Sequence, residues 1–400
     1  MDRNEQKVSL GQTLSYAGRW APGYFWQRLA RGRPPKRVHL VIALADHFEP
    51  SCVPGSGAER APYAEQERRL ERWCREYPKQ FAEYRDTDGR PFVHTYFYPA
   101  EQYDRSHLAR LADHCHAGWG EIEVHLHHGV GAPDSAANTR RQLIEFRDRL
   151  AAEHGCLSYA DASAGGTSQP QYIFVHGNFA LANCNRGRGC GVDSEMQILA
   201  ETGCYADMTL PTAPFHGAQI AKINSIYECG LPLTERAPHR EGRNLARGRS
   251  SRIFPIMVQG PLMLDFHVPG RVLGIDNAAL TGSNPASVRR LQNWKRAGIS
   301  VEGKPDWIFI KLHCHGMDPR HDEATLGLAM RQFLRELVDG ARARGETLHF
   351  VSAREMVNII FAACDGRDGN PGDYRDYRFK RERPSAIHAR GHAADEALKG

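Results

Sequence analysis

Apolar and polar positions switch repeatedly between two periods along this chain. Val38 to Ala45 is a nearly unbroken apolar run of strand length, and Ala64 to Tyr84 is a charged stretch with apolar residues at helical spacing. Pro91 to Tyr98 reads as a second strand, Ser106 to His116 as helix, Glu121 to Leu126 as strand and Ser135 to His154 as helix. After a Gly/Ser/Ala-rich loop from Ala160 to Pro170, Tyr172 to Val175 is strand-like, and a short helix from Ser194 to Thr202 stops at Gly203. Residues 210–305 are the least regular, with strands expected at Ile253 to Val258 and Val272 to Ile275 and a helix near Ala286 to Arg296. Order returns with strand Trp307 to Leu312, helix Glu323 to Arg344, strand Leu348 to Val351 and helix Ala353 to Ala363. In the first of these helices Leu326, Met330, Phe333, Leu337 and Ala341 mark one buried face. Strands alternating with helices predict an α/β protein with a parallel sheet, open or closed into a barrel.

The ends read differently. Residues 1–36 mix Trp20, Tyr24, Phe25 and Trp26 with Arg19, Arg28, Arg31 and Arg33, which reads as an N-terminal arm packed on the domain, with an interfacial membrane segment as the alternative. From 365 to 400 the chain turns polar and Gly/Arg/Asp-rich, the composition of a flexible tail.

Composition narrows the class. A chain of 400 residues, 41% hydrophobic and 25% charged, can bury a full core in one barrel-type domain or two smaller ones. The 52 basic residues exceed the 47 acidic ones by only five, and no basic block is interleaved with aromatics, so nucleic acid is not an expected partner. Ten cysteines without a small-domain disulfide pattern suggest free thiols in a reducing compartment. The N-terminus lacks a signal-peptide pattern and no run of about 18 apolar residues occurs, so a cytoplasmic address is expected, with peripheral membrane contact left open.

The chemistry is concentrated in histidine. Of 20 histidines, a large share stand where apolar runs end: Asp46 and His47 in VIALADHFEP, His125, His127 and His128 in EIEVHLHHG, His176 in YIFVHGN, and His313 and His315 in WIFIKLHCHG. Groups at the ends of parallel strands converge on one pocket, and neutral imidazole is the commonest metal ligand and a proton shuttle near pH 7. In ADHFEP one of the adjacent pair can bind metal while the other takes a proton, the alternative being a helix-cap Asp beside a surface His. In EIEVHLHHG, His125 and His127 share a strand face, and a turn after Leu126 lets His125 and His128 clamp one ion. Three imidazoles so close repel when protonated, and a metal keeps them neutral. One of His313 and His315 can face the pocket as a general acid. His176 and Asn178 are candidate substrate contacts, or a satisfied loop pair. Cys184 and Cys190 around Arg186 and Arg188 form a weak zinc signal, and those arginines suit an anionic sugar or phosphate.

Taken in order, these segments resemble the polysaccharide deacetylase (NodB-homology) family. ADHFEP stands where that family has a strand ending in an Asp-Asp pair, Asp46 matching the first and His47 the second. Thr95-Tyr96-Phe97 stands where the family reads Thr-Phe-Phe, and Glu121 to His125 matches its metal-histidine segment. YIFVHGNF followed by EMQILAETGCY is similar to the third segment, Leu312-His313 to the late Leu-His motif, and LHFVSAREM to the closing strand and helix. The resemblance spans about residues 38–362.

It implies a distorted (β/α)7-type barrel over 37–364, carrying an irregular insertion at 210–305, and metal-dependent removal of an N- or O-acyl group from a carbohydrate or sugar-lipid precursor. Carried over residue by residue, Asp46 is the general base, His313 the general acid, and His47 and His125 are metal ligands. The sequence departs from the pattern where His47 replaces an Asp and where Gly129 stands four residues after His125. His128 is therefore the third ligand, with His127 as the fallback, and His127, His176, Asn178 and His315 contact substrate. The family's third-motif arginine is absent, with Val175 and His176 nearby. Nitrogen ligation suits zinc first, then cobalt or nickel. Two alternatives remain: a glycoside hydrolase pairing Asp46 with Asp265 or Glu123, and an inactive carbohydrate-binding homologue.

Overall fold

A computed structural model of the chain describes residues 10–31, 35–56, 59–160, 169–212, 221–237, 242–249, 251–267 and 274–381. In chain order the strands are β1 (Val38–His47), β2 (His94–Pro99), β3 (Gly120–Leu126), β4 (Ser158–Ala160), β5 (Tyr172–His176), β6 (Cys204–Asp207), β7 (Ile226–Glu228), β8 (Ile256–Val258), β9 (Met263–Asp265), β10 (Gly274–Asp276), β11 (Trp307–Cys314), β12 (Glu346–Phe350) and β13 (Phe379–Arg381). The helices are α1 (Leu10–Ala30), α2 (Tyr63–Phe81), α3 (Arg105–His114), α4 (Ala136–His154), α5 (Glu195–Glu201), α6 (Val288–Ala297), α7 (Asp322–Thr325), α8 (Leu328–Ala341) and α9 (Ala353–Cys364).

Nine strands form one sheet in the order β11-β1-β2-β3-β5-β6-β8-β7, with β12 also paired to the first half of β1. Every pairing is parallel except β7 with β8. The α/β expectation and its parallel sheet therefore hold. Among the described residues no ladder joins β11 to β7 and closes the sheet. A side chain reaches across instead: the Lys311 ammonium on β11 donates to the carbonyls of Met208 and Leu210, beyond β6, at 2.6 and 2.7 Å.

Strand alternation divides the core in two. Leu40, Ile42, Leu44, Tyr96, Ile122, Val124, Phe174 and Ile310 pack against Leu70 and Trp73 of α2, Leu108 of α3, Leu143 of α4 and Phe333 of α8. Val41, Ala43, Ala45, Phe97, Ile173, Val175 and Phe309 face an inner cluster completed by α9 and by Trp20 and Tyr24 of α1. Helix α1 thus packs on the domain through Trp20 and Tyr24, with Phe25, Trp26 and Leu29 left exposed. No helix among the described residues is long and apolar enough to cross a membrane.

Local chemistry sets the helix ends. Ser352 and Glu355 form a reciprocal capping box that starts α9, and Ser135 and Ser287 cap α4 and α6. The helix expected over Glu323 to Arg344 is broken, because the Leu326 and Gly327 amides both turn back to the Asp322 carbonyl and α8 restarts from extended Gly327. The expected tail also needs correction. Residues 365–381 belong to the fold, since β13 pairs with β4 and Arg354 on α9 donates to the Phe379 carbonyl at 2.8 Å; residues 382–400 lie outside the described residues.

The insertion at 210–305 supplies more than loops. It adds β7 and β8 to the sheet, and its segment Ala278–Leu280 runs beside the end of β11, trading backbone hydrogen bonds with His313. Arg290 fixes that segment by donating to both oxygens of Asp276 and to the Ala279 carbonyl, while Trp294 Nε1 adds a third bond to Asp276. Both charges are buried, so removing one strands the other. Asp276→Ala is therefore expected to cost about 3–5 kcal/mol in a urea melt followed by tryptophan fluorescence.

Candidate metal centre at the strand ends

β1 stays extended through His47, so its last two side chains leave on opposite faces. His47 goes to the inner face, where its ring lies 4.8 Å from that of His125, 4.7 Å from His315 and 6.4 Å from His313, centre to centre. Asp46 goes to the helix side. There its carboxylate accepts the Gly316 amide at 2.6 Å, meets His94 Nδ1 at 3.0 Å and is fully buried near Trp73. The turn that would aim both groups into one mouth does not occur. Asp46 thus holds the loop after β11, and its pairing with His47 as base beside ligand is corrected.

The carboxylate in the mouth is Glu49, two residues beyond His47. Its Oε1 lies 3.2 Å from His125 Nε2 and 3.5 Å from His127 Nε2. Glu49 also completes a second set with His47 and His315, so two groups of potential ligands, four imidazoles in all, share the one Glu49 carboxylate. His125 and His127 share the inner face of β3 and its continuation, as period two requires. His128, the next residue, leaves on the other side and joins Glu195, 2.9 Å away, with Asp134 and Thr139 each 3.1 Å from its Nδ1. The grouping of His128 with His47 and His125 is therefore corrected in favour of His127.

Hydrogen bonding fixes the tautomers. His125 Nδ1 lies 2.8 Å from the Val175 carbonyl, which can only accept, and His127 Nδ1 lies 2.7 Å from Glu101 Oε1. Both Nδ1 hydrogens are committed outward, and both Nε2 atoms face Glu49. Two acceptors cannot face each other at 3.2 Å without a cation between them, either a proton or a metal ion. Burial lowers the proton affinity of His125 and, more strongly, of His47, which keeps both neutral and leaves their lone pairs available. Burial opposes charge at His127 as well, yet the Glu49 and Glu101 carboxylates raise it to about 9. Glu49 in turn is held at about 2 despite its burial, by the His127 charge and the His125 contact. Without a metal, His127 and Glu49 thus form an ion pair that an ion of higher charge can replace. Gly177 is needed here, because a Cβ at that position would meet the His127 ring at 2.4 Å.

His313 and His315 fall on the inner side as period two predicts, while Cys314 between them turns toward Asp46. His313 is buried, and burial followed by the Lys311 charge keeps it neutral. His176 is on the helix side, 3.5 Å from Glu195, and Asn178 holds the loop by donating to the His128 and Gly189 carbonyls. Neither lines the mouth. The carboxylates considered for a glycosidase pair are elsewhere too: Asp265 is clamped by Arg289, and Glu123 accepts the Ile173 amide. Glu49 and Glu101 were missed by sequence reasoning. For Glu49 a signal existed, since an acid two positions after a strand-end His keeps that residue's face.

A comparison of the chain with protein-family models, with curated proteins and with solved structures finds no match.

Two outcomes follow from the electrostatics. Glu101→Gln removes the carboxylate that orients His127 and is expected to weaken metal binding about 10–100-fold, measured by competition with a chromophoric chelator. Burial holds Glu123 well above its ordinary 4.5, so between 4.5 and its folded value the native state carries a proton that the unfolded chain has released. Stability contributed by that proton is lost as pH rises, and Glu123→Gln should flatten this fall in melts recorded across the pH range.

Proposed function

We propose that the chain is a metal-dependent hydrolase centred on His47, Glu49, His125, His127 and His315, and that it removes an N- or O-acyl group from a carbohydrate or sugar-like substrate. The observation that carries the metal reading is the pair of Nε2 atoms, on His125 and His127, that face one Glu49 oxygen after both Nδ1 hydrogens have been given away. Nitrogen donors with one carboxylate fit zinc, cobalt or nickel. Such an ion, when bound, lowers the pKa of a bound water toward ~7 and polarises an acyl oxygen.

The chain's own residues supply the rest. The Val175 carbonyl and Glu101 hold the two imidazoles in register, as partners behind metal-binding histidines do. His313 is the proton carrier in this reading, because it is neutral, inner-facing and next to His47. A neutral imidazole first accepts the proton of the attacking water and then returns it to the departing amine or alkoxide, which leaves poorly without one. Base and acid are then one residue in two states, and Asp46 is not needed in either role.

The acyl-sugar substrate rests on the order of ADHFEP, TYF, EIEVH, LHCHG and LHFVSAREM, which is the order of the corresponding segments in polysaccharide deacetylases. The same resemblance supports reading the open sheet as a distorted (β/α)7 barrel, with Lys311 bridging its gap.

The full chain should carry bound transition metal and release acetate from N- or O-acetylated oligosaccharides. His127→Ala should bind one equivalent of metal fewer than wild type and release no acetate, whereas His313→Ala should keep the wild-type metal content and lower kcat by about 10²–10⁴-fold. Acetate release that survives complete chelation, or a chain that takes up no metal on titration, would overturn the reading.

A further inference from the structure

On the helix side of the strand ends, four buried side chains meet that the proposed reaction does not use. We infer that His128, His176, Cys190 and Glu195 form a second, closed metal site, structural rather than catalytic, which pins the 177–194 loop to the ends of β3 and β5. Their ligand atoms lie within 4.8 Å of one another. His128 Nε2 is 2.9 Å from Glu195 Oε1, His176 Nε2 is 3.5 Å from the same oxygen, and Cys190 Sγ is 3.6 Å from Oε2. A tetrahedral zinc with nitrogen, oxygen and sulfur bonds of about 2.0–2.3 Å separates its ligands by about 3.3–3.8 Å, so small adjustments suffice.

An ion pair between protonated His128 and Glu195 would account for two of the four groups. It leaves two unexplained. His176 is fully buried, yet its Nε2 points into the cluster without a hydrogen-bond partner. Cys190 is fully buried too, and its sulfur, which accepts the Val192 amide at 3.5 Å, also stands 3.6 Å from the Glu195 carboxylate. A divalent ion resolves both, because one thiolate and one carboxylate neutralise its charge exactly where burial makes any net charge costly. Behind His128, the Asp134 carboxylate on Nδ1 supplies the orienting partner that metal-binding histidines usually have.

Proton balance is simple. Binding releases the Cys190 thiol proton and the Nε2 proton of His128 to solvent. His176 moves its ring proton to Nδ1, so the Asn178 amide now 3.1 Å from that atom must turn away.

The loop has reason to be held. Phe179, Ala182, Asn183 and Arg186 all adopt positive φ, which side chains rarely do. Gly129, itself at φ 64°, lets the β3 turn approach so closely that a Cβ there would meet the Cys190 carbonyl oxygen at 1.9 Å. The loop that the sequence offered as a weak zinc signal thus contributes one cysteine, Cys190, and the other ligands come from the turn after β3, from β5 and from α5.

Cobalt titrated into the full chain distinguishes this site from the mouth, whose ligands include no sulfur. Wild type and His127→Ala should both show the near-ultraviolet thiolate-to-cobalt charge-transfer band, and Cys190→Ser should lack it. A cobalt-loaded wild type without the band, or a band that persists in Cys190→Ser, overturns the inference. If Cys190→Ser does not fold, zinc-edge X-ray absorption of the wild type decides, with a sulfur neighbour supporting the site and a purely nitrogen and oxygen shell overturning it.

Discussion

Successive side chains leave a β-strand on opposite faces, and this constraint governs the chemistry of the whole molecule. At the end of β1 it sends His47 to the inner side and Asp46 to the helices. At the end of β11 it sends His313 and His315 inward and Cys314 outward to Asp46. At the end of β3 it keeps His125 with His127 and sends His128 away. The mouth imidazoles and the His128–Glu195 cluster therefore lie back to back across the sheet ends, where a single cluster had been expected.

Everything around the mouth serves to hold that alternation in place. The Val175 carbonyl and the Glu101 carboxylate absorb the outward nitrogens of His125 and His127, and Gly177 leaves room for one of the rings. Asp46 secures the Gly316 turn after β11, so a buried carboxylate on the face away from the mouth still governs where His315 goes. The insertion reaches the same point through Arg290 and Asp276, which position the Ala278–Leu280 segment against His313. The bonds made by Asp46, Asp276 and Arg290 involve buried charges, worth more than their neutral counterparts and costly when half broken.

Much of this was legible in the sequence. β1, β5 and β11 stood out because strands buried on both faces read as largely apolar runs, β3 alternates polar with apolar residues, and α4 and α9 lie within a residue of where helices were expected. β4, β6, β7, β9 and β13 did not, since runs of three or four residues carry no period. The single helix expected from Glu323 broke because backbone turns at Leu326 and Gly327 leave no mark in the apolar spacing. In the site, His47 and His125 were found from their place at strand ends. Glu49 was overlooked because the adjacent Asp46 drew the role of carboxylate, although Glu49 alone keeps the parity of His47. Glu101 and Glu195 reach their histidines only through tertiary packing, which no local pattern announces. The period-two rule already favoured His127, and a turn assumed after Leu126 displaced it.

On the proposed reading Glu49, and not Asp46, is the carboxylate that holds the metal at the mouth. Metal bound per chain at saturation, compared among wild type, Glu49→Gln and Asp46→Asn, tests this most directly. Glu49→Gln is predicted to bind one equivalent fewer than wild type while Asp46→Asn binds the same number. Wild-type stoichiometry in Glu49→Gln, or the missing equivalent in Asp46→Asn, would contradict the account.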